Sequence, residues 1–412
     1  MFDLVDILKR EDKKAGVAAP VSQNCALYYQ TEQCQQLVME AFRFEGLSEP
    51  VDKSFDGADF DQLSEEVEFV FIELTQTEDL ISEANRILPL LPAHLSVVII
   101  GSKDMISIIR ELKDMGLYYL FWPVTKEDLI HFYRNVAGSR DSEYSIGKKR
   151  KSKRAAIVSA KGGLGASLLT AELGSILANE RKVSTLLVDH DYAGGNLDIV
   201  LGVKQFEKRL LQPGTLLGSI DNTYASGLVK KVGSHLSLLS VCSESFDRPT
   251  IGEYIQTITE QLAYDVNVML EDFGHGIGGE VELEQILTRI DTLVLIMDPT
   301  VSAMRDYNRL VTLVRKMDKE NQIRLITVMN CTRPKQTNSV NKNDIEKFAL
   351  APVDIRIPFD ARVNERILTG ERIFNSSSSA AKSISLLASM ILGEESKYEE
   401  GAWAELKRWL RR

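Results

Sequence analysis

No apolar run in this 412-residue chain reaches the roughly 18 residues that a membrane-spanning helix needs. The opening stretch, MFDLVDILKRED, carries acids and lacks the pattern of a cleavable signal, so the chain is expected to stay in the cytoplasm. Cysteine is scarce. Cys25, Cys34, Cys242 and Cys331 are scattered and without metal-ligand spacing, and they read as reduced, structural thiols. Iron–sulfur chemistry needs paired cluster cysteines, and none are placed for it. A surplus of positive charge is missing too: the net charge of −10 argues against a protein whose main business is coating nucleic acid. No internal repeat is visible.

What is present is an ordinary globular composition, 44% apolar and 26% charged, in a chain long enough for two or three domains. Residues 1–21 begin with an amphipathic stretch (Phe2, Val5 and Leu8, with Leu4 and Ile7) and run into EDKKAGVAAP, a short helix on a tether. From 22 to 137, strand-length apolar runs (CALYYQ, FVFIEL, SVVIIGS, YYLFWP) alternate with helical patterns such as CQQLVMEAF and MISIIRELKDMG. Such alternation predicts a parallel sheet with helices on both faces. Residues 138–153 have no periodicity and run into six basic residues within seven positions. This stretch reads as a solvated linker or, alternatively, as a basic contact for nucleic acid or lipid headgroups. A second α/β domain follows over 154–393, its Val/Ile/Leu runs nearly continuous, as suits strands buried on both faces. Residues 394–412 close the chain as an amphipathic helix in which Trp403, Leu406 and Leu410 recur at helical spacing beside Lys407, Arg408, Arg411 and Arg412. That pattern suits a helix lying on a membrane surface, and equally one docked on its own domain or a partner.

The chemistry concentrates after the first strand of the second domain. The strand AAIVS leads into AKGGLG, and the helix ASLLTAELGSILA leaves it. This aims the backbone N–H groups of Gly162, Gly163, Leu164, Gly165, Ala166 and Ser167 and a helix N-terminus at one point, a setting for an anion. Ser167 sits where a hydroxyl would ligate Mg²⁺, and Leu168 follows it into the helix. Asp189 and Asp191 close the strand STLLVDHD, where residues i and i+2 share a face, and Asp272 closes VNVMLEDF. Strand C-termini are where open α/β sheets bind ligands.

Lys161, Gly162, Gly163, Gly165 and Ser167 resemble the deviant phosphate loop K-G-G-x-G-K-[ST] of the ParA/MinD family of ATPases, a likeness that covers about 154–392. The resemblance implies ATP and Mg²⁺ as cofactors and a homodimer in which Lys161 reaches the partner's nucleotide. It implies that Asp189 and Asp191 are the family's D-x-D, with Asp191 positioning the attacking water, and that Asp272 is the magnesium-associated acid. It places Asn330, Pro358 and Asp360 at the adenine. The chain departs from the pattern at Ala160, at Gly274 for proline, and at Ala166, where the lysine that neutralises β- and γ-phosphate charge is gone. Binding with slow or absent hydrolysis is therefore expected.

Residues 22–136 resemble a response-regulator receiver stripped of its chemistry. Gln30–Thr31 replace the acidic pair, Glu73 the phosphorylated aspartate and Trp122 the lysine, with only Ser102 and Pro123 of the expected types. Phosphotransfer is not expected there; dimerisation or docking is. A degenerate receiver joined to a ParA/MinD-like ATPase resembles the TadZ/CpaE proteins of Tad (Flp) pilus assembly. That likeness implies a factor at a cell pole or on the inner face of the cytoplasmic membrane, and partners in the pilus secretion ATPase and other Tad assembly proteins. The alternatives are a MinD- or FlhG-like regulator of division-site or flagellar placement, and a nucleotide-free scaffold with a dead ATPase fold.

Overall fold

The structure, a computed structural model, describes residues 24–394 except 57–59, 61–62, 64–66, 94, 104–105, 139–150, 205, 212–216, 218–219, 320–321, 335–339 and 341. The tail expected over 1–21, most of the basic linker, and all but the first residue of the C-terminal helix lie outside the described residues. The chain divides into two compact units, 1–83 with 94–150, and 84–93 with 151–412.

In the first unit β1 (Asn24–Tyr29), β2 (Val51–Ser54), β3 (Val67–Glu73), β4 (Ser96–Gly101) and β5 (Tyr118–Phe121) form a parallel sheet in the order β2-β1-β3-β4-β5. The middle of β3 is continuously apolar because both faces are covered. Phe69 and Phe71 pack with Val38 and Phe42 of the helix Glu32–Phe44 and with Tyr133 of the helix Lys126–Gly138, while Val70 and Ile72 are buried on the other side. The edge strand β2 reads VDKS, without the apolar run that marks its neighbours, and sequence patterning passed it over. The order 2-1-3-4-5 is that of flavodoxin-like doubly wound folds, a topology that hosts many functions and assigns none.

The second unit holds β6 (Lys153–Ser159), β7 (Thr185–Asp189), β8 (Arg209–Leu210), β9 (Lys230–Lys231), β10 (Leu236–Cys242), β11 (Val268–Phe273), β12 (Thr292–Met297), β13 (Arg324–Asn330) and β14 (Ile355–Ile357). They run β14-β13-β12-β6-β11-β7-β10-β8, parallel throughout, with β9 added antiparallel to β10. β6 lies inside the sheet, and the helix Ala166–Asn179 that follows it is buried nearly all round. This explains its largely apolar sequence, with no polar stripe left for solvent; the buried Thr170 and Ser175 hydroxyls donate to carbonyls one turn back. In the register, Asp272 stands opposite both Ile157 and Asp189. The loops leaving β6, β11 and β7 therefore open along one edge of the sheet.

Candidate functional site

The loop after β6 starts with a backbone bond from Ala160 N–H to the Ile296 carbonyl (2.8 Å) and turns through Gly163 and Gly165 at φ of +82° and +88°. Gly165 is also the N-cap of the helix Ala166–Asn179, and no side chain caps that helix. Its first-turn N–H groups are thus left for a ligand. Lys161, Gly162 and Gly163 are exposed, whereas Leu164 and Ala166 are buried in the core and Leu168 packs against it. Asn330, at the end of β13, donates from Nδ2 to the Leu164 carbonyl at 2.9 Å. A methyl group on Gly165 would come within 2.7 Å of that nitrogen. Asn330 therefore braces the loop from behind.

Ser167 and Asp272 converge on a small space over Gly274. A Cβ added there would lie 2.7 Å from Ser167 Oγ and 3.1 Å from Asp272 Oδ1. Asp272 is 2% exposed, and its Oδ1 has no hydrogen-bond partner. Burial pushes its pKa up to about 7; a hydrogen bond from Ser167 opposes the shift and the negative charge of Asp189 adds to it. A half-neutralised carboxylate with one orphaned oxygen beside a hydroxyl, over a glycine with no side chain to fill the space, fits a magnesium ion with its water. The turn carrying this acid closes by Gly276 N–H to Phe273 O (3.0 Å) and runs beside the loop, with the His275 carbonyl 3.8 Å from where a Cβ on Gly162 would sit.

The pair Asp189 and Asp191 is arranged differently from the sequence expectation. β7 ends at Asp189, so Asp191 is not its i+2 neighbour on a strand face. Instead the chain turns, and Asp191 N–H donates to Asp189 Oδ1 at 3.0 Å. Asp189 is 1% exposed, and its Oδ2 also accepts from Ser240 Oγ (2.9 Å) and Lys208 Nζ (3.1 Å). Asp191 is partly exposed and accepts from Gly194 N–H at 3.3 Å. Lys208 and Ser240 escaped the sequence reading because neither belongs to a motif; only the folded sheet edge brings them to Asp189.

His190, between the two acids, points into the core. Its backbone N–H donates to the Asp272 carbonyl at 3.1 Å and its ring stacks on Phe273, with centroids 4.0 Å apart. Nε2 lies 2.9 Å from Glu271 Oε2, and Nδ1 lies 3.0 Å from the Tyr192 hydroxyl. Burial lowers the His190 pKa and leaves the ring neutral. Burial would raise the Glu271 pKa, but the hydrogen bond from His190 and the charges of Arg289 and Arg154 bring it down to about 2. The contact is therefore a neutral imidazole N–H donating to a carboxylate, with Tyr192 donating to the other ring nitrogen.

Of the residues placed at the adenine, Asp360 is committed within the chain: Oδ2 accepts from Arg366 Nη1 at 2.6 Å, and Oδ1 from Arg362 N–H at 3.0 Å. Pro358 is half-buried just past β14. In the first unit, Glu73 is fully buried and accepts the backbone N–H groups of Gln30 and Thr31 (both 2.8 Å) and the hydroxyls of Thr31 (2.7 Å) and Thr75 (2.6 Å). Four donors saturate both oxygens, so this carboxylate ties loops together.

The family model for ParA, described as NUBPL iron-transfer P-loop NTPase, matches residues 151–392. The septum site-determining protein MinD of Helicobacter pylori is 26% identical over 253 residues, covering 59% of this chain and 92% of that protein. MinD of Synechocystis is 27% identical over 211 residues, covering 50% and 76%. Among solved structures, a ParA family ATPase from Chlorobium tepidum aligns with a TM-score of 0.49 at 23% identity, covering 57% of this chain and 98% of that one.

Proposed function

Because the chain belongs to the ParA family of P-loop NTPases, we propose that its second unit is a magnesium–ATP switch with slow or absent hydrolysis. The observation that carries this reading is the orphaned Asp272 Oδ1 facing Ser167 over Gly274 at the foot of the loop. Ser167 and Asp272 would hold the metal; the loop amides and the exposed Lys161 would hold the phosphates. Bound there, magnesium–ATP supplies the γ-phosphate whose presence or loss sets the state of the switch. Ala166, buried in the core, offers no charge to that phosphate. Losing a charge-assisted contact that strengthens as charge develops costs roughly 10²–10³ in rate.

In this reading the protein works as a homodimer, with Lys161 of each chain serving the partner's nucleotide, and as a localisation factor that recruits Tad/Flp pilus assembly and secretion proteins. The support is the combination of two units: a Gly-loop ATPase and an α/β unit whose receiver-like strand ends carry Gln30, Thr31 and a saturated Glu73. A second reading, a MinD-like regulator of division-site placement, is favoured by the names of the curated relatives. Iron transfer does not fit the cysteines of this chain. Cys242 and Cys331, the two cysteines of the matched region, sit at the ends of β10 and β13, five strand spacings or about 24 Å apart.

The test is equilibrium titration of magnesium–ATP into the wild type, Lys161→Ala and Asp272→Asn. Measurable binding by the wild type with loss in Asp272→Asn is expected. No wild-type binding at millimolar ATP would remove the switch, and brisk turnover would show that another group replaces the missing lysine. A fluorescent fusion in the native cell separates the localisation readings, a polar focus supporting the pilus factor and midcell oscillation the division regulator.

A further inference from the structure

Two cations meet the acidic turn: Arg248 donates from Nη2 to the His190 carbonyl at 3.5 Å, and among the described residues Lys208 alone pairs with Asp189. Lys208 has a side chain only 16% exposed, its Nζ 3.1 Å from Asp189 Oδ2, and it also donates to the Asp191 backbone carbonyl. Its main chain is held at the sheet edge. Lys208 immediately precedes β8, which pairs with β10, and its carbonyl accepts from Cys242 Sγ at 3.8 Å. From there the side chain reaches back past β10 to the end of β7. The other donors to Asp189, the Ser240 hydroxyl and the Asp191 amide, satisfy lone pairs but cancel no charge.

We propose that Lys208 is the compensating cation of the nucleotide site: by neutralising Asp189 it lets a polyphosphate sit beside three strand-end carboxylates without the lysine that Ala166 replaces. The inference rests on the reading that the loop binds magnesium–ATP. β7 and β6 are separated by β11 alone, so Asp189 lies two strand spacings, about 10 Å, from the loop strand. An uncancelled charge at that distance changes the affinity for a phosphate by roughly ten-fold at the effective dielectric of a protein site. The role differs from that of the usual loop lysine, since Lys208 acts on the acid and not on the phosphate. It is a positioning residue and also fixes the turn that carries Asp191.

The experiment measures, by calorimetry on the full chain, the affinity of a non-hydrolysable ATP analogue with Mg²⁺ for the wild type, Lys208→Met, Lys208→Arg, Asp189→Asn and the double variant Asp189→Asn/Lys208→Met. Thermal unfolding of each unliganded protein reports its fold. Lys208→Met is expected to bind roughly ten-fold more weakly, Lys208→Arg to restore binding, and the double variant to return to within about three-fold of the wild type, because no charge remains to be cancelled. Wild-type affinity in Lys208→Met overturns the proposal and leaves the ATP reading intact. A double variant as weak as Lys208→Met also overturns it, since Lys208 would then act on the phosphates directly. If Lys208→Met alone does not fold, the neutral double variant decides: affinity equal to the wild type supports compensation, and a ten-fold loss overturns it. A wild type that binds no nucleotide overturns the ATP reading and this inference together.

Discussion

At the scale of single residues, Gly274 and Asp272 make the sharpest demands. The space over Gly274 is set by Ser167 Oγ, nearer to a would-be Cβ than side chains tolerate, and by Asp272 Oδ1, which would be in tight contact with it. Gly274→Ala should therefore leave the fold intact and weaken magnesium-dependent nucleotide binding by roughly 10- to 100-fold, the usual cost of disturbing groups that orient a metal's ligands. Titration with and without Mg²⁺ checks this; unchanged affinity would mean that the metal sits elsewhere. Asp272 also predicts a pH dependence. Its carboxyl titrates near 3.8 in the unfolded chain and near 7 in the folded one, chiefly through burial. Between those values the folded state keeps a proton that the unfolded state has lost, so the metal-free protein should lose stability as pH rises from about 4 to about 7 and stay level above that. The full effect is about 4 kcal/mol. Urea unfolding of wild type and Asp272→Asn at pH 5 and 7.5 isolates it: the difference between the two proteins should change with pH, and a constant difference would reject the assignment.

At the scale of elements, the ends of β7 and β11 are locked together from behind. His190 stacks on Phe273 and donates to Glu271, which also pairs with Arg154 Nε and Arg289 Nη2, each at 3.3 Å. Neighbouring residues on β11 thus divide the labour: Asp272 is turned to the loop, and Glu271, on the opposite face, holds the strands in register. Glu271→Gln should cost about 3–5 kcal/mol in urea unfolding, because it strips a buried counter-charge from two arginines. A loss below about 1 kcal/mol would show that the arginines find other partners. The phosphate loop is braced in the same manner by Asn330, which reaches it from β13. This explains an asparagine at a strand end without requiring it to touch the base.

At the scale of the whole molecule, the two α/β units invite opposite roles. The second carries a site with an unsatisfied acid, the first a strand-end acid with every oxygen satisfied. Among the described residues, the strand-end acid of the first unit is structural, which suits the proposed role of holding a second copy of the chain. Deleting residues 1–137 should lower the dimer population in the absence of nucleotide, as measured by light scattering. A truncated protein as dimeric as the full chain would assign dimerisation to the second unit. With Ala166 in the loop, bound nucleotide should be cleaved more slowly than in lysine-bearing relatives, which suits a marker that persists at one place.

Much of this was legible in the sequence because parallel sheets covered on both faces require unbroken apolar runs. β6, β7, β11, β12 and β13 all announce themselves that way. The glycine loop was equally plain, since its turns need φ values that only glycine adopts freely. The two-residue strands β8 and β9 were invisible, being too short for any period. Strand patterning also put Asp189 and Asp191 on one face, whereas in the structure a hydrogen bond between them ends the strand. The partners of the acids were decided by tertiary structure alone. Lys208 follows Asp189 by 19 residues, Ser240 by 51, and Glu271 follows His190 by 81. No local pattern links residues so far apart, because only the pairing order β11-β7-β10-β8 folds those distances into contact.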